Sequence, residues 1–122
     1  MSKVFPLRGL ACGALFAALS CAAVAADPAP HRAMAFSVVN GAVSGVAGDT
    51  LKVQQGDELE LKWTSDKPME LHLHGYDIEV KVGPKTPAVM SFKANIPGRF
   101  SIEQHGQGPG RHKPVLYLEV HP

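Results

Sequence analysis

Residues 53–63 read VQQGDELELKW, and this stretch decides the fold class of the chain. From Glu58 onward, polar and apolar side chains alternate, which is typical of a β-strand with one solvated and one buried face. The Gln-Gly-Asp sequence before it favours a tight turn, because glycine and aspartate accept turn conformations readily. The stretch therefore predicts a short strand, a turn and a longer, half-buried strand.

The same two-residue period recurs along most of the chain. Clear alternation covers residues 70–74, 100–103 and 116–121, and weaker strand patterns cover 33–39, 50–53, 78–82 and 88–94. Turn signals such as Ile96-Pro97-Gly98 separate these stretches, and no stretch of ten residues beyond residue 26 has a helical period. Seven to eight short strands at this spacing predict an all-β, antiparallel sandwich or barrel.

The first 26 residues differ in character from the rest. Lys3 and Arg8 precede an apolar stretch over residues 10–19, and residues 22–26 are all small. This pattern is typical of a secretory signal peptide, here cleaved before Asp27, and its apolar run is short for a membrane span. We expect residues 27–32 to form a flexible lead-in and residues 33–122 a folded domain, either periplasmic or secreted. Lipidation at Cys21 is a less favoured alternative, since the preceding Leu is one position out of register.

Charge and cysteine content exclude several functional classes. The 122 residues suit one domain and carry a formal net charge of +1, and removal of Lys3 and Arg8 leaves ten basic against eleven acidic residues, a net charge of −1. This near-neutral charge gives no strongly basic surface of the kind that binds nucleic acid. Because Cys12 and Cys21 both lie in the predicted signal peptide, the exported protein would have no disulfide, thiolate metal site or thiol nucleophile. No motif for an enzyme active site is present either, so we expect no catalytic function.

The six histidines are the residues most able to carry chemistry. His72 and His74 are two positions apart on a predicted strand, so both rings project from one face and can chelate one metal ion. Imidazole suits copper, zinc and nickel. An ordinary solvated face explains this pair equally well, and it is the favoured interpretation for His105 and His112 taken alone. That interpretation holds more strongly near the chain ends, for His31 and His121.

Four segments, in their order and spacing, resemble the cupredoxins, most closely those related to oxidase subunit II and plastocyanin. VQQGDELELKW resembles a strand pair of that family, and HGYDI at 74–78 resembles the His-Gly-Phe-x-Ile segment that holds its first copper histidine. IPGRF at 96–100 resembles the turn before the copper loop, and VLYLEV at 115–120 resembles the last strand. The resemblance implies a cupredoxin-like Greek-key β-sandwich, with His74 as a copper ligand.

The chain departs from this family in the loop before the last strand. The family places Cys, His and Met there, and alignment on Phe100 puts these positions at Gln104, Gln107 and His112. Without a thiolate, a blue copper centre is excluded. The resemblance then implies a histidine-only site, built by His74, His105 and His112 from loops that meet at one end of the sandwich. His72 would lie close by, and Glu70, Asp77 and Glu103 are candidates to orient the rings.

Such a site suits copper, as Cu(II) or Cu(I), and zinc is possible. If His72 and His74 both point outward, the site is exposed, which favours metal binding or transfer over redox chemistry. We therefore expect a role in copper tolerance, storage or delivery, with a metal-donor or metal-acceptor protein as partner. Two alternatives stay open: a metal-free domain that serves as a binding module, and an electron-transfer protein with a non-blue copper centre.

Overall fold

The computed structural model describes residues 3–4, 9, 22–25, 28–106 and 112–122. Nine strands cover this part of the chain. In chain order they are β1 (His31–Val39), β2 (Ala42–Ser44), β3 (Thr50–Gln54), β4 (Glu58–Ser65), β5 (Met69–Leu73), β6 (Ile78–Val82), β7 (Ala88–Lys93), β8 (Gly98–His105) and β9 (His112–His121). The described residues include no helix of the length and apolarity that crossing a membrane requires. Both cysteines, most of the predicted signal peptide with its cleavage position, and Gln107 lie outside the described residues.

The strands form two sheets that pack face to face as a sandwich, which decides between the predicted sandwich and barrel. One sheet has the order β2-β1-β4-β7, and the other has the order β3-β9-β8-β5-β6. Both sheets are mixed rather than purely antiparallel, because β1 pairs parallel to β4 and β3 pairs parallel to β9. Side-chain alternation carries no information on strand direction, so the sequence pattern could not distinguish these pairings.

The count of nine strands corrects the predicted seven to eight. The additional strand, β2, has three residues and follows a two-residue turn in which Asn40 has φ 52° and Gly41 has φ 77°. Asn-Gly is the preferred sequence for such a hairpin turn, because both residues accept a positive φ. A three-residue strand is too short to show alternation. Its presence could instead have been inferred from the Asn-Gly turn. Strand β1 also begins at His31, two residues before the predicted start.

The VQQGDELELKW stretch is the corner at which the chain passes from the five-stranded to the four-stranded sheet. Gly56 adopts φ 96°, a conformation that favours glycine. Asp57 is buried, and its carboxylate accepts hydrogen bonds from the Gln54 amide at 3.1 Å and from Arg32 Nη1 at 3.3 Å. The backbone of Asp57 also accepts from the amide of Ala94 at 2.8 Å. The corner is thus tied to β1, β3 and the end of β7.

The hydrophobic core lies between the two sheets. Trp63 is fully buried and stacks on Phe36 with ring centroids 4.9 Å apart. Met69 also belongs to this core and is 8% exposed. The five-stranded sheet contributes the alternate residues of its central strands, which are Leu71, Leu73, Ile102, Leu116, Leu118 and Val120. Its other alternate residues therefore face away from the core.

Candidate metal centre

His72 on β5 and His74, directly after the end of β5, lie on the outer face of the five-stranded sheet. Leu71 and Leu73 are fully buried, so the residues between and after them project to the opposite side. The side chain of His72 is nevertheless only 15% exposed, and that of His74 is 43% exposed. Neighbouring side chains on the same face therefore cover His72.

Those neighbours are set by the strand register. His72 pairs with Glu79 on β6 and with Glu103 on β8. One step along the sheet, Glu70 pairs with His105 on β8, and His105 pairs with His112 on β9. Residues directly opposite each other on antiparallel strands share a face. Histidines and carboxylates therefore form one continuous patch across four strands, and we call it the histidine face.

Three imidazole rings meet on the histidine face. The ring centroids of His72 lie 4.2 Å from His74 and 5.3 Å from His105, and those of His74 and His105 are 6.4 Å apart. One nitrogen from each ring lies within 4.8 Å of the other two. Nδ1 of His72 and Nε2 of both His74 and His105 are shielded from solvent and make no hydrogen bond within the described part of the chain. Buried polar atoms without a partner are rare, so the three rings fit a metal ion.

The donor chemistry and spacing of this triad suit copper. Imidazole nitrogens bind copper and zinc at about 2.0–2.1 Å, so two ligands of one ion are at most about 4.2 Å apart. The three nitrogens lie within 4.8 Å of one another, so at most a side-chain rotation is needed to bring them within that limit. His72, His74 and His105 would hold the ion, without a thiolate.

The structure corrects the predicted position of the site. His74 follows the end of β5 and donates its amide to Ser101, whereas the β8–β9 connection leaves the sheet at His105, beside Glu70 at the other end of β5. The rings thus line up along an outer sheet face rather than in loops at one end of the sandwich. Gln104, the position of the family's Cys, pairs with buried Leu71 and shares its inner face. His105 is the next residue and therefore lies on the opposite face.

The turn after His74 positions a carboxylate on His72. Gly75 has φ 83° and Asp77 has φ 55°, and this tight turn brings Asp77 Oδ1 to 3.4 Å from His72 Nε2. Tyr76 holds the turn from the other side, because its hydroxyl donates to the carbonyl of Ile96 at 2.9 Å and accepts from the Ile96 amide at 3.0 Å. With Nε2 facing Asp77, Nδ1 of His72 remains the nitrogen for a metal, as expected of an orienting carboxylate.

Glu103 lies among the histidines and contacts two of them. One of its oxygens, Oε2, is 3.1 Å from His74 Nε2, outside the direction of a well-formed hydrogen bond, and 4.0 Å from His112 Nδ1. Burial raises the pKa of the Glu103 carboxyl, but the hydrogen bond from Ser101 and the charges of His74 and His112 outweigh it, so the pKa lies below its ordinary value. The carboxylate is therefore ionised and able to bind a cation.

The four predicted ligands do not converge on one point. His112 lies beside His105, with ring centroids 4.5 Å apart, and the two form a second possible metal group with Glu103. In the described residues, no group contains both His74 and His112. Glu103 was predicted only as a residue that orients the rings. Its position two residues before His105 on one strand, and hence on the same face, is the signal that would have identified it as a ligand.

The two terminal histidines lie apart from the cluster, as expected. His31 contacts Glu60 at 3.6 Å, on the other sheet. His121 contacts Glu119 at 2.8 Å, near the end of β9. Neither belongs to a metal group among the residues that the structure describes.

Solved structures of copper proteins share this fold. A heme-copper terminal oxidase superposes with a TM-score of 0.66 at 22% identity, over 75% of this chain and 65% of that one. A multicopper oxidase from Pseudomonas thermotolerans gives 0.55 at 22% identity over 76% and 30% of the two chains. A blue copper oxidase from Nitrosomonas europaea gives 0.54 at 18% identity over 75% and 39%. The chain spans less than two thirds of each of these proteins.

At these identities the likeness shows the fold alone, and it confirms the predicted cupredoxin-like sandwich. Copper is the metal named for these three neighbours, and zinc is not favoured by them. No protein-family profile matches the chain. No curated protein matches it either.

Proposed function

We propose that this protein binds copper through His72, His74 and His105 on the histidine face, and that it stores copper or delivers it to another protein. One observation carries the proposal: one nitrogen from each of three imidazole rings lies within 4.8 Å of the other two, and each ring has a solvent-shielded nitrogen without a well-formed hydrogen bond. Burying such nitrogens without a partner costs free energy, and a bound ion offsets that cost. The copper-binding neighbours of the same fold support the choice of metal.

The exposure of the ligands favours binding and transfer over electron transfer. His74 is 43% exposed, and the triad lies on an open sheet face instead of in the sandwich interior. A partner protein can therefore approach the ion directly and replace its ligands one by one. An electron carrier needs ligands held rigidly through both oxidation states, which the packed interior provides and an open face does not. Copper tolerance through such transfer, outside the cytoplasm and after removal of a signal peptide, is the setting that we propose.

The experiment is a competition titration of the purified protein with Cu(II) against a chelator of known affinity. Cys12 and Cys21 are replaced by Ser so that neither thiol competes for copper. We expect one ion per chain, and we expect the H72A/H74A/H105A variant to lose that affinity. The matched control is H31Q/H121Q, which removes the two histidines outside the cluster and should bind as the parent protein does.

Two results would contradict the proposal. If the parent protein binds neither Cu(II) nor Cu(I), the fold carries no copper here, and the metal-free binding module becomes the better interpretation. If the triple variant binds copper as tightly as the control variant, the ion is held elsewhere. Circular dichroism of each variant shows whether the sandwich is intact, so a lost fold is not mistaken for a lost ligand. A parallel titration with Zn(II) measures the preference for copper.

A further inference from the structure

The second metal group of the histidine face differs from the triad in exposure and in donor type. It consists of Glu103, His105 and His112, whose ligand atoms lie within 4.8 Å of one another. The side chain of His112 is 73% exposed, whereas those of His105 and His72 are 23% and 15% exposed. The group therefore extends from an exposed histidine, His112, to His105, which is also a member of the triad. A carboxylate oxygen is one of its donors, and oxygen ligands are harder than imidazole.

The two groups share His105. Its ring lies 4.5 Å from that of His112 on one side and 5.3 Å from that of His72 on the other, measured between centroids. Glu103 also reaches both groups, since Oε2 lies 4.0 Å from His112 Nδ1 and 3.1 Å from His74 Nε2. An ion held by Glu103, His105 and His112 thus reaches His72 and His74 by exchange of two ligands while His105 stays bound.

We propose that Glu103, His105 and His112 form an outer copper site, from which a single ion passes to the inner triad by exchange around His105. This inference rests on the proposed function. In the transfer the bond to His105 persists, the bonds to His112 and Glu103 break, and bonds to His72 and His74 form. The charge of the ion does not change, so no oxidant or reductant takes part.

The physical advantage of a shared ligand is that the ion is never released to solvent. Once His105 has bound, the nitrogens of His72 and His74 act at the high effective concentration of groups tethered to one sheet. Removal of the contact with Glu103 also frees Nε2 of His74 to bind. The outer site should therefore set the rate of loading, and the inner triad should set the affinity at equilibrium.

The test separates rate from affinity with one substitution in the outer site. Cu(II), supplied from a weak chelator, is mixed with the H112Q variant in a stopped-flow instrument, and the equilibrium affinity is measured separately by competition. We expect loading to slow about tenfold while affinity stays within about twofold. The control is H121Q, which alters an exposed histidine on the same strand and outside both groups. It should load at the parent rate.

A second variant examines the outer site by itself. In H72Q/H74Q, we expect weaker binding of one Cu(II), with a paramagnetic resonance signal that shows two nitrogen ligands and one oxygen ligand. The inference is overturned if H112Q loads at the parent rate, or if this double variant binds no copper. It is also overturned if H112Q loses as much affinity as H72Q, because that result means a single four-histidine site. In all three cases the parent protein still binds copper, so the proposed function survives; loss of binding by the parent protein contradicts the function itself.

Discussion

The two faces of strand β5 have opposite compositions, although they alternate residue by residue. Leu71 and Leu73 are fully buried in the core, and His72 and His74 lie on the histidine face. The inner face therefore forms part of the core of the sandwich, and the outer face carries the copper ligands that we propose. A protein of this kind can change its metal chemistry without altering its core, because neighbouring residues contribute to different properties.

The same comparison explains how the fold persists without the family's thiolate. Gln104 belongs to the inner face beside Leu71, and His105 belongs to the outer face beside Glu70. Gln104 and His105 are adjacent in sequence, yet the position of the family's Cys faces the core and the next position faces the observed cluster. The histidines do not occupy the position of the missing thiolate; they form a cluster on the other surface of the sheet, which is the copper site that we propose.

The largest expected effect is on the inner face. Leu71→Ala removes a fully buried side chain, so we expect the free energy of unfolding to fall by about 2–5 kcal/mol, as measured by urea denaturation. The folded fraction of this variant should bind copper with the parent affinity. A large loss of affinity without a loss of stability would contradict the separation of the two faces.

The opposite result is expected one residue later. His72→Ala removes a ligand and should lower copper affinity about 100-fold or more, because each ligand contributes strongly to a three-coordinate site. The free energy of unfolding of the copper-free protein should change by about 1 kcal/mol or less, well below the change in Leu71→Ala, because His72 lies outside the core. Competition titration and urea denaturation measure the two quantities. Equal affinity in this variant would remove His72 from the site.

A substitution in the turn that follows His74 should have an intermediate effect on stability. Gly75 has φ 83°, and a Cβ atom there would collide with the ring of Phe100. We expect Gly75→Ala to reduce the free energy of unfolding by about 1–3 kcal/mol. Gly41→Ala is the control, because Gly41 has φ 77° with no atom within 4 Å of the added Cβ. If both variants lose the same free energy, the contact with Phe100 has no energetic role.

Asp77 should affect the metal more than the fold. Asp77→Asn removes the charge that faces Nε2 of His72, and we expect a loss of copper affinity of about tenfold. Unfolding should be unaffected within about 0.5 kcal/mol. Glu58→Gln, an exposed carboxylate on the other sheet, serves as the control. A variant of Asp77 that binds copper as tightly as this control would show that the contact does not orient the ring.

The smallest expected effect is the contribution of Glu103 to the loss of stability at acid pH. Because the folded-state pKa of Glu103 is lowered, the unfolded chain takes up a proton first as the pH falls, and folding loses stability. That loss begins near the ordinary pKa of glutamate, about 4.3, and continues down through the lowered value. We expect the copper-free Glu103→Gln variant to lose stability less steeply over this range. Parallel slopes for the variant and the parent protein would contradict the role assigned to the ionised carboxylate.

Most of the fold was predictable from alternation and turn residues. The stretch 53–63 indicated the corner and β4, and HGYDI and IPGRF indicated the order of elements. Strand direction was not predictable, because a parallel and an antiparallel strand show the same alternation. Strand β2 was missed because three residues carry too short a pattern, although its Asn40-Gly41 turn was a readable signal.

Of the four predicted ligands, the structure brings His72, His74 and His105 together and leaves His112 outside that triad, and the position of the cluster was not predictable. Alternation indicated that His72 and His74 share an outward face, but the register that brings His105 beside them depends on the pairing of β5 with β8. Two residues 30 or more positions apart in sequence reveal no register by themselves. The family resemblance suggested loops at one end of the sandwich, and the register places the rings on the sheet instead. Glu103 was not predicted as a ligand for the same reason, because its neighbours on the sheet also depend on this pairing.

The most direct measurement is paramagnetic resonance of the Cu(II)-loaded protein, prepared with and without nitrogen-15 histidine, with Cys12 and Cys21 replaced by Ser. We expect one copper per chain whose hyperfine structure shows three imidazole nitrogens, with no intense absorption near about 600 nm. The H72A/H74A/H105A variant should lose this signal. A copper signal without coupling to histidine nitrogen, or one that is unchanged in the triple variant, would contradict the account.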